Sequence, residues 1–305
     1  MTTLGNPTAA YFNRSLDQMA NLRGSIERLQ TQVATGQRIE RASDDPTGAA
    51  RLRALDRLDR LGAVEQDNAA KLAQDLTFAA DQMGGVANLI IRTRELALSA
   101  ASDTLPDEAK AAIAEELEQL GEELFDRANG TTLTGEPLFA GTAAGPAFTR
   151  DAAGNVTYAG NNEIGAVTVA RGTEIERGVA GNDVFEFPVS GTPTSTFALI
   201  NGLADALRGA SADPTAAAQA ALEGLDIALE STTRNQAVLG TRLAWVEVIQ
   251  QNQADEKISI AEQRSDVGDT DIASAIAQLQ QTLTALEASQ ASFARVSSLS
   301  LFRAL

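Results

Sequence analysis

The sequence predicts a mainly α protein with a small inserted β domain: an elongated rod of long coiled-coil-like helices, with the N- and C-termini packed together. Three observations carry this. Prolines fall at 7, 46, 106, 137, 146, 188, 193 and 214, leaving proline-free spans at 47–105 and 215–305 that suit long helices. Apolar residues in both spans, and in the first 35 residues, recur at alternating three- and four-residue steps. Aromatics make up only 13 of 305 residues, which suits narrow helix seams better than one thick core.

In the first segment Phe12, Met19, Leu22, Ile26, Leu29 and Val33 keep heptad spacing, with Ser15 filling the one missing position. Gly36 is placed to end this helix in a left-handed cap, and residues 36–45 form a connector. Pro46 then suits the first helical position, with Asp45 before it to cap the free amides. The second helix repeats through Leu72, Leu76, Ala79, Met83, Val86, Ile90, Thr93 and Ala97 and is expected to stop near Asp103–Pro106. Asp107 is expected to cap a third helix, which carries Ile113, Leu117, Leu120 and Leu124 as far as Asn129-Gly130, so that the two make a hairpin.

From Gly135 to about Ser195 the pattern changes to glycine, proline and short alternating runs such as Asn155-Val156-Thr157-Tyr158 and Ala166-Val167-Thr168-Val169, with a turn at Ala153-Gly154-Asn155. Helical periodicity returns after Pro214 through Leu222, Leu225, Leu229, Gln236, Leu239, Leu243, Val246 and Ile249, with a polar break at Ser265–Thr270. A last helix places Ile272, Ile276, Leu279, Leu283, Leu286 and Phe293 on one seam and ends in Ser298-Leu299-Ser300-Leu301-Phe302. Three domains are expected. Residues 1–45 with 266–305 form a terminal α domain, mobile in the monomer and packed at the inner core of an assembly. Residues 46–134 with 199–265 form a helical rod domain, and 135–198 an outer β domain.

Composition excludes several functions. With no cysteine and no histidine, disulfides, Cys or His metal sites, thiol nucleophiles and Ser-His-Asp arrangements are all absent. Adjacent carboxylates such as Glu115-Glu116 and Glu122-Glu123 point in different directions on a helix and read as solvated faces. No catalytic, cofactor-binding or metal-binding residue is expected, and the chain reads as no enzyme. No run of 18 apolar residues exists and residues 1–21 lack the pattern of a cleavable signal, so no membrane insertion is expected and export would need another route. A formal net charge of -17 disfavours nucleic acid as a partner.

The ends point to assembly. Residues 272–305 hold only three charged side chains, Glu287, Arg295 and Arg303, so similar tails have little to keep them apart. One apolar seam buries too little to order a lone tail. Pairing with the N-terminal seam and with neighbouring copies supplies the burial, which makes Phe12, Met19, Leu22, Ile26, Leu29, Val33, Ile272, Ile276, Leu279, Leu283, Leu286, Phe293, Leu299, Leu301 and Phe302 the expected assembly interface. Residues 1–62 carry nine Arg against seven Asp or Glu. Arg53, Arg57 and Arg60 share one helical stripe, placed either to dock the acidic body of another subunit or to pair locally with Asp56 and Asp59.

The run Thr35-Gly36-Gln37-Arg38-Ile39-Glu40-Arg41-Ala42-Ser43-Asp44-Asp45-Pro46 resembles the signature after the first helix of flagellins and the related hook–filament junction proteins, the flagellin and hook-associated protein 3 family. Within it Arg41, Ser43, Asp44, Asp45 and Pro46 carry the motif. Arg94-Glu95-Leu96-Ala97 and Gly181-Asn182-Asp183-Val184-Phe185 are similar to further landmarks, and the likeness runs from about residue 10 to the end. Leu138-Phe139-Ala140-Gly141-Thr142 and the ending Ser298–Phe302 look like the junction branch. The resemblance implies a structural flagellar subunit at the hook–filament junction, with a filament subunit as the alternative and a surface binding protein as a third reading. It also implies export unfolded through the flagellar type III apparatus with a cytosolic chaperone, a secreted extracellular location, no cofactor, and as partners copies of the chain, flagellin and another hook-associated protein. Arg92, Arg94 and Leu96 resemble a region that in some flagellins meets neighbouring subunits.

Overall fold

The structure, a computed structural model, describes residues 7–302, with side chains described over 10–296. Among the described residues seven α-helices run in order as α1 (Pro7–Thr35), α2 (Pro46–Ala100), α3 (Asp107–Ala128), α4 (Gly181–Phe185), α5 (Thr196–Asp205), α6 (Pro214–Gly268) and α7 (Ile272–Phe302), with a π-helical turn at Ala206–Ala210 after α5. The strands lie between α3 and α5 as three separate antiparallel hairpins. These pair β1 (Phe148–Arg150) with β2 (Val156–Tyr158), β3 (Ala166–Ala170) with β4 (Thr173–Glu176), and β5 (Glu186–Val189) with β6 (Thr192–Ser195). The chain divides into two compact units, Met1–Leu61 with Glu256–Leu305 and Gly62–Asp255, so α2 and α6 each contribute to both.

Local chemistry sets most of the boundaries. Gly36 takes φ 71° and its amide returns to the Gln32 carbonyl at 2.9 Å, ending α1 in the left-handed cap that glycine allows. Pro46 opens α2, and the Gly48 amide donates to Asp45 Oδ1 at 2.8 Å. At α3 the expectation is corrected. Pro106 occupies the cap position with no side-chain bond, while Asp107 sits in the first turn, where its charge favours the amide end of the helix. α2 stops at Ala100, before the expected Asp103, and α6 continues through most of the polar segment to Gly268. Ser195 caps α5 by accepting the Ala198 amide at 3.1 Å.

The core of the second unit forms on the predicted α2 seam. Leu72, Leu76, Ala79, Met83, Val86, Ile90, Thr93 and Ala97 are all 1% exposed or less, and they cluster with Ala114, Leu117 and Leu124 of α3 and Leu225, Leu239 and Val246 of α6. Six of the 13 aromatics gather in one knot. Phe148 lies 5.2 Å from Phe185 and 5.1 Å from Phe197, with Phe139, Phe125 and Tyr158 around them, and this knot fixes the inserted segment to the helices. Asn129, just past α3, gives and accepts hydrogen bonds with the Phe148 carbonyl and amide at 3.1 and 2.9 Å, filling the place of a strand neighbour for β1. The β3–β4 hairpin is held by Asn68 on the Thr168 carbonyl at 3.1 Å and Gln253 on the Val169 carbonyl at 2.6 Å.

Candidate assembly interface

The first unit is built on the antiparallel pairing of α1 and α7. At one end the Thr270 amide donates to the Gly36 carbonyl at 2.8 Å, and at the other the rings of Phe12 and Phe293 meet edge to face at 5.2 Å. The α1 side is the heptad read from the sequence. Met19 and Ile26 are buried, and Phe12, Ser15, Leu22, Leu29 and Val33 are half-buried.

The α7 side differs from the expected seam. The contact stripe is Ala275, Leu279, Thr282, Leu286, Ser289, Phe293 and Val296, which keeps strict four- and three-residue steps, with Ala275 buried and the others half-buried. Ile272, Ile276 and Leu283 sit on the adjacent stripe instead, 49%, 40% and 39% exposed. The physical reason is side-chain size. Ala275, Thr282 and Ser289 let the α1 backbone come close, so the bulkier residues are turned outward. On α1, Tyr11 and Leu16 are exposed as well, at 41% and 52%. Over 272–296 only Glu287 and Arg295 carry charge, so Ile272, Ile276 and Leu283 stand outward on α7 among polar but mostly uncharged side chains. Leu299, Leu301 and Phe302 lie outside the residues whose side chains are described.

The Gly36–Pro46 run forms a clasp within the same unit. The Arg38 amide donates to the Gly268 carbonyl at 2.7 Å, its guanidinium holds the Val267 carbonyl at 2.7 Å and Asp45 at 3.2 Å, and Gln37 bridges to Asp269. Asp44 accepts the Arg41 amide at 2.9 Å and returns its own amide to the Arg41 carbonyl, closing a turn. Arg41, Ser43 and Asp44 remain exposed. The Gly48 amide, first, and Arg38, after it, hold the Asp45 carboxyl below the usual carboxylate range. A Cβ on Gly48 would lie 2.4 Å from Asp45 Oδ2 and 2.6 Å from Ile39 Cδ1, so the clasp closes onto the start of α2.

Arg53, Arg57 and Arg60 are exposed on one stripe of α2. Their neighbours Asp56 and Asp59 turn to Arg264 of α6, at 3.4 and 3.5 Å. Local pairing with the stripe is thereby replaced by a contact that sequence spacing does not reveal. Of the second candidate group, Arg92 binds Glu116 at 2.7 Å and Glu95 at 3.1 Å, and Arg94 binds Asp226 at 2.6 Å. Leu96 is only 7% exposed and belongs to the core, because the α2 seam turns it inward beside Ala97. It is covered within its own unit, whereas Ile91 and Leu98 are 42% and 61% exposed.

Shifted carboxyls lie apart and have local causes. Burial raises Asp75 against the pull of Arg177, and bonds from Asn155 lower Asp151 within its turn. Among the described residues no group of three or more Asp or Glu side chains is placed to hold a metal ion, and no helix is long and apolar enough to cross a membrane.

Residues 9–144 match the bacterial flagellin N-terminal helical region. Along its length the chain is 25% identical to Flagellar hook-associated protein 3 of Escherichia coli, covering 97% of this chain and 98% of that protein. It is 24% identical to the protein of the same name from Salmonella typhimurium, with the same coverage. A Vibrio parahaemolyticus structure described as a flagellar hook-associated protein shares the fold with a TM-score of 0.69 at 21% identity, over 74% of this chain and all of that one. The flagellar junction protein of Legionella pneumophila gives 0.60 at 15%, over 72% of this chain and all of that one.

Proposed function

We propose that this chain, a member of the flagellin and hook-associated protein 3 family, is a structural subunit of the bacterial flagellum that forms the junction between hook and filament. The observation that carries the reading is the α1–α7 pair. It buries a thin seam, leaving Tyr11 and Leu16 of α1 exposed and Ile272, Ile276 and Leu283 outward on the nearly uncharged α7. Copies stacked side by side would cover these side chains and complete the burial each pair lacks alone. The relatives are flagellar structural proteins, and no chemistry is assigned to this one. The partners that follow are copies of the chain, flagellin on one side, another hook-associated protein on the other, and, before assembly, a cytosolic chaperone and the flagellar export apparatus. The final location is extracellular.

A strain lacking the gene tests this. Hooks should remain bare while flagellin accumulates in the medium, and the intact gene should restore filaments. Normal filaments in the deletion strain would refute the junction role. A second reading, as filament subunit, is favoured by the match of residues 9–144 to the flagellin N-terminal region. It predicts that the same deletion removes the filament without releasing flagellin, because the lost protein would itself be the flagellin.

A further inference from the structure

The net charge of the chain is divided unequally between its two units. Gly62–Asp255 holds 28 Asp and Glu against 11 Lys and Arg, a balance of -17, whereas the other unit holds 13 of each and is neutral. In an assembly of copies the surplus anionic charge of one copy is favourably met by a fixed cationic group of another.

Arg53, Arg57 and Arg60 of α2 provide such a group. They stand at i, i+4 and i+7 on one face and are exposed. The carboxylates nearest them in sequence, Asp56 and Asp59, are held by Arg264. Among the described residues the side chains of Arg53 and Arg57 make no ion pair or hydrogen bond, and that of Arg60 gives only its Nε to the Asp56 carbonyl, at 3.2 Å. Arg264 thus takes up the local counter-charge and leaves three guanidinium groups open to a partner. In the second unit Arg92, Arg94, Arg127, Arg150, Arg208 and Arg242 are each paired with a carboxylate of their own unit, and among the described arginines there Arg171 alone lacks an ion pair.

We infer that the Arg53–Arg57–Arg60 stripe is a docking surface for carboxylates in the Gly62–Asp255 unit of a second copy of this chain. The inference rests on the reading of the chain as a flagellar subunit assembled from copies. A second copy is the occupant because it carries the complementary surplus and lies next to the first in any ring of identical subunits.

The absence of cysteine makes the test clean, since one introduced thiol is unique. In the deletion strain, the intact protein is first confirmed to reach flagella. If it does not, the flagellar reading itself fails. Arg57→Cys, labelled on isolated flagella with a photoactivatable maleimide, should then give a covalent dimer of two copies whose second peptide comes from 62–255. A link to flagellin, to another flagellar protein or to the first unit of a copy overturns the inference and leaves the flagellar reading standing. In parallel, the triple charge reversal R53E/R57E/R60E should lower the amount retained per flagellum by about tenfold, while R53K/R57K/R60K retains near-normal amounts, as exposed pairs summed over three positions imply. Circular dichroism of both exported proteins checks that they fold. Equal retention of a folded reversal variant would also overturn it.

Discussion

Replacing Ile276 and Leu283 together by Asp should abolish assembly while leaving the monomer intact. The two side chains are 40% and 39% exposed, so about two-fifths of each remains to be covered when copies pack. Full burial of such a side chain contributes about 1.5–3 kcal/mol, so the uncovered fraction is about 0.6–1.2 kcal/mol each and about 1.2–2.4 kcal/mol for the pair. That corresponds to about 8- to 60-fold in an association constant, before the larger penalty of burying two carboxylates is added. Neither residue lies on the contact stripe with α1, so the helix content of the monomer and the unfolding of its second unit should be unchanged. The assay is the amount of exported protein retained on purified flagella, with circular dichroism of the secreted monomer alongside. Gln281→Asp, exposed on the far side of α7, serves as the charge control and should assemble normally. A double variant retained as well as the unaltered protein would refute the reasoning, and so would equal loss from the Gln281 control.

Among the described residues of the α1–α7 pair only Met19, Ile26 and Ala275 are buried, so amide exchange on the free monomer should find residues 7–35 and 272–302 weakly protected relative to the α2 seam; comparable protection would contradict this. Phe148→Ala removes the centre of the aromatic knot and should cost the second unit about 3–5 kcal/mol in urea unfolding, so a loss below about 1 kcal/mol would mean that the knot does not hold the insert. Asp45 has a folded pKa below its unfolded one, so its contribution is complete above the usual carboxylate range and is lost as pH falls through the lowered folded value. Asp45→Asn should therefore narrow the gap in clasp stability between pH 6 and pH 3, measured by proteolysis near residues 36–48, and an unchanged gap would point to another titrating group.

Much of the fold was legible because the chain repeats itself where it packs. The α2 heptad is buried at every position read from spacing, and the α1 heptad holds even at Ser15, since a regular step was enough to place a polar residue on the seam. On α7 large apolar residues were a partial guide. The contact alternates Leu279, Leu286 and Phe293, which hydrophobic spacing found, with Ala275, Thr282 and Ser289, which the strict four-and-three step rather than hydrophobicity would have found. The separate hairpins, the five-residue helix α4 and the stand-in bonding of Asn129 depend on contacts between distant segments, which leave little local pattern. The same applies to the charges. Asp56 and Asp59 sit beside the arginine stripe in sequence, yet Arg264, more than 200 residues away, claims them.

Gold labelling of intact flagella with an antibody to this chain tests the junction role most directly. A single band where the filament meets the hook is the predicted result. Label distributed along the whole filament would contradict it and make the chain a filament subunit.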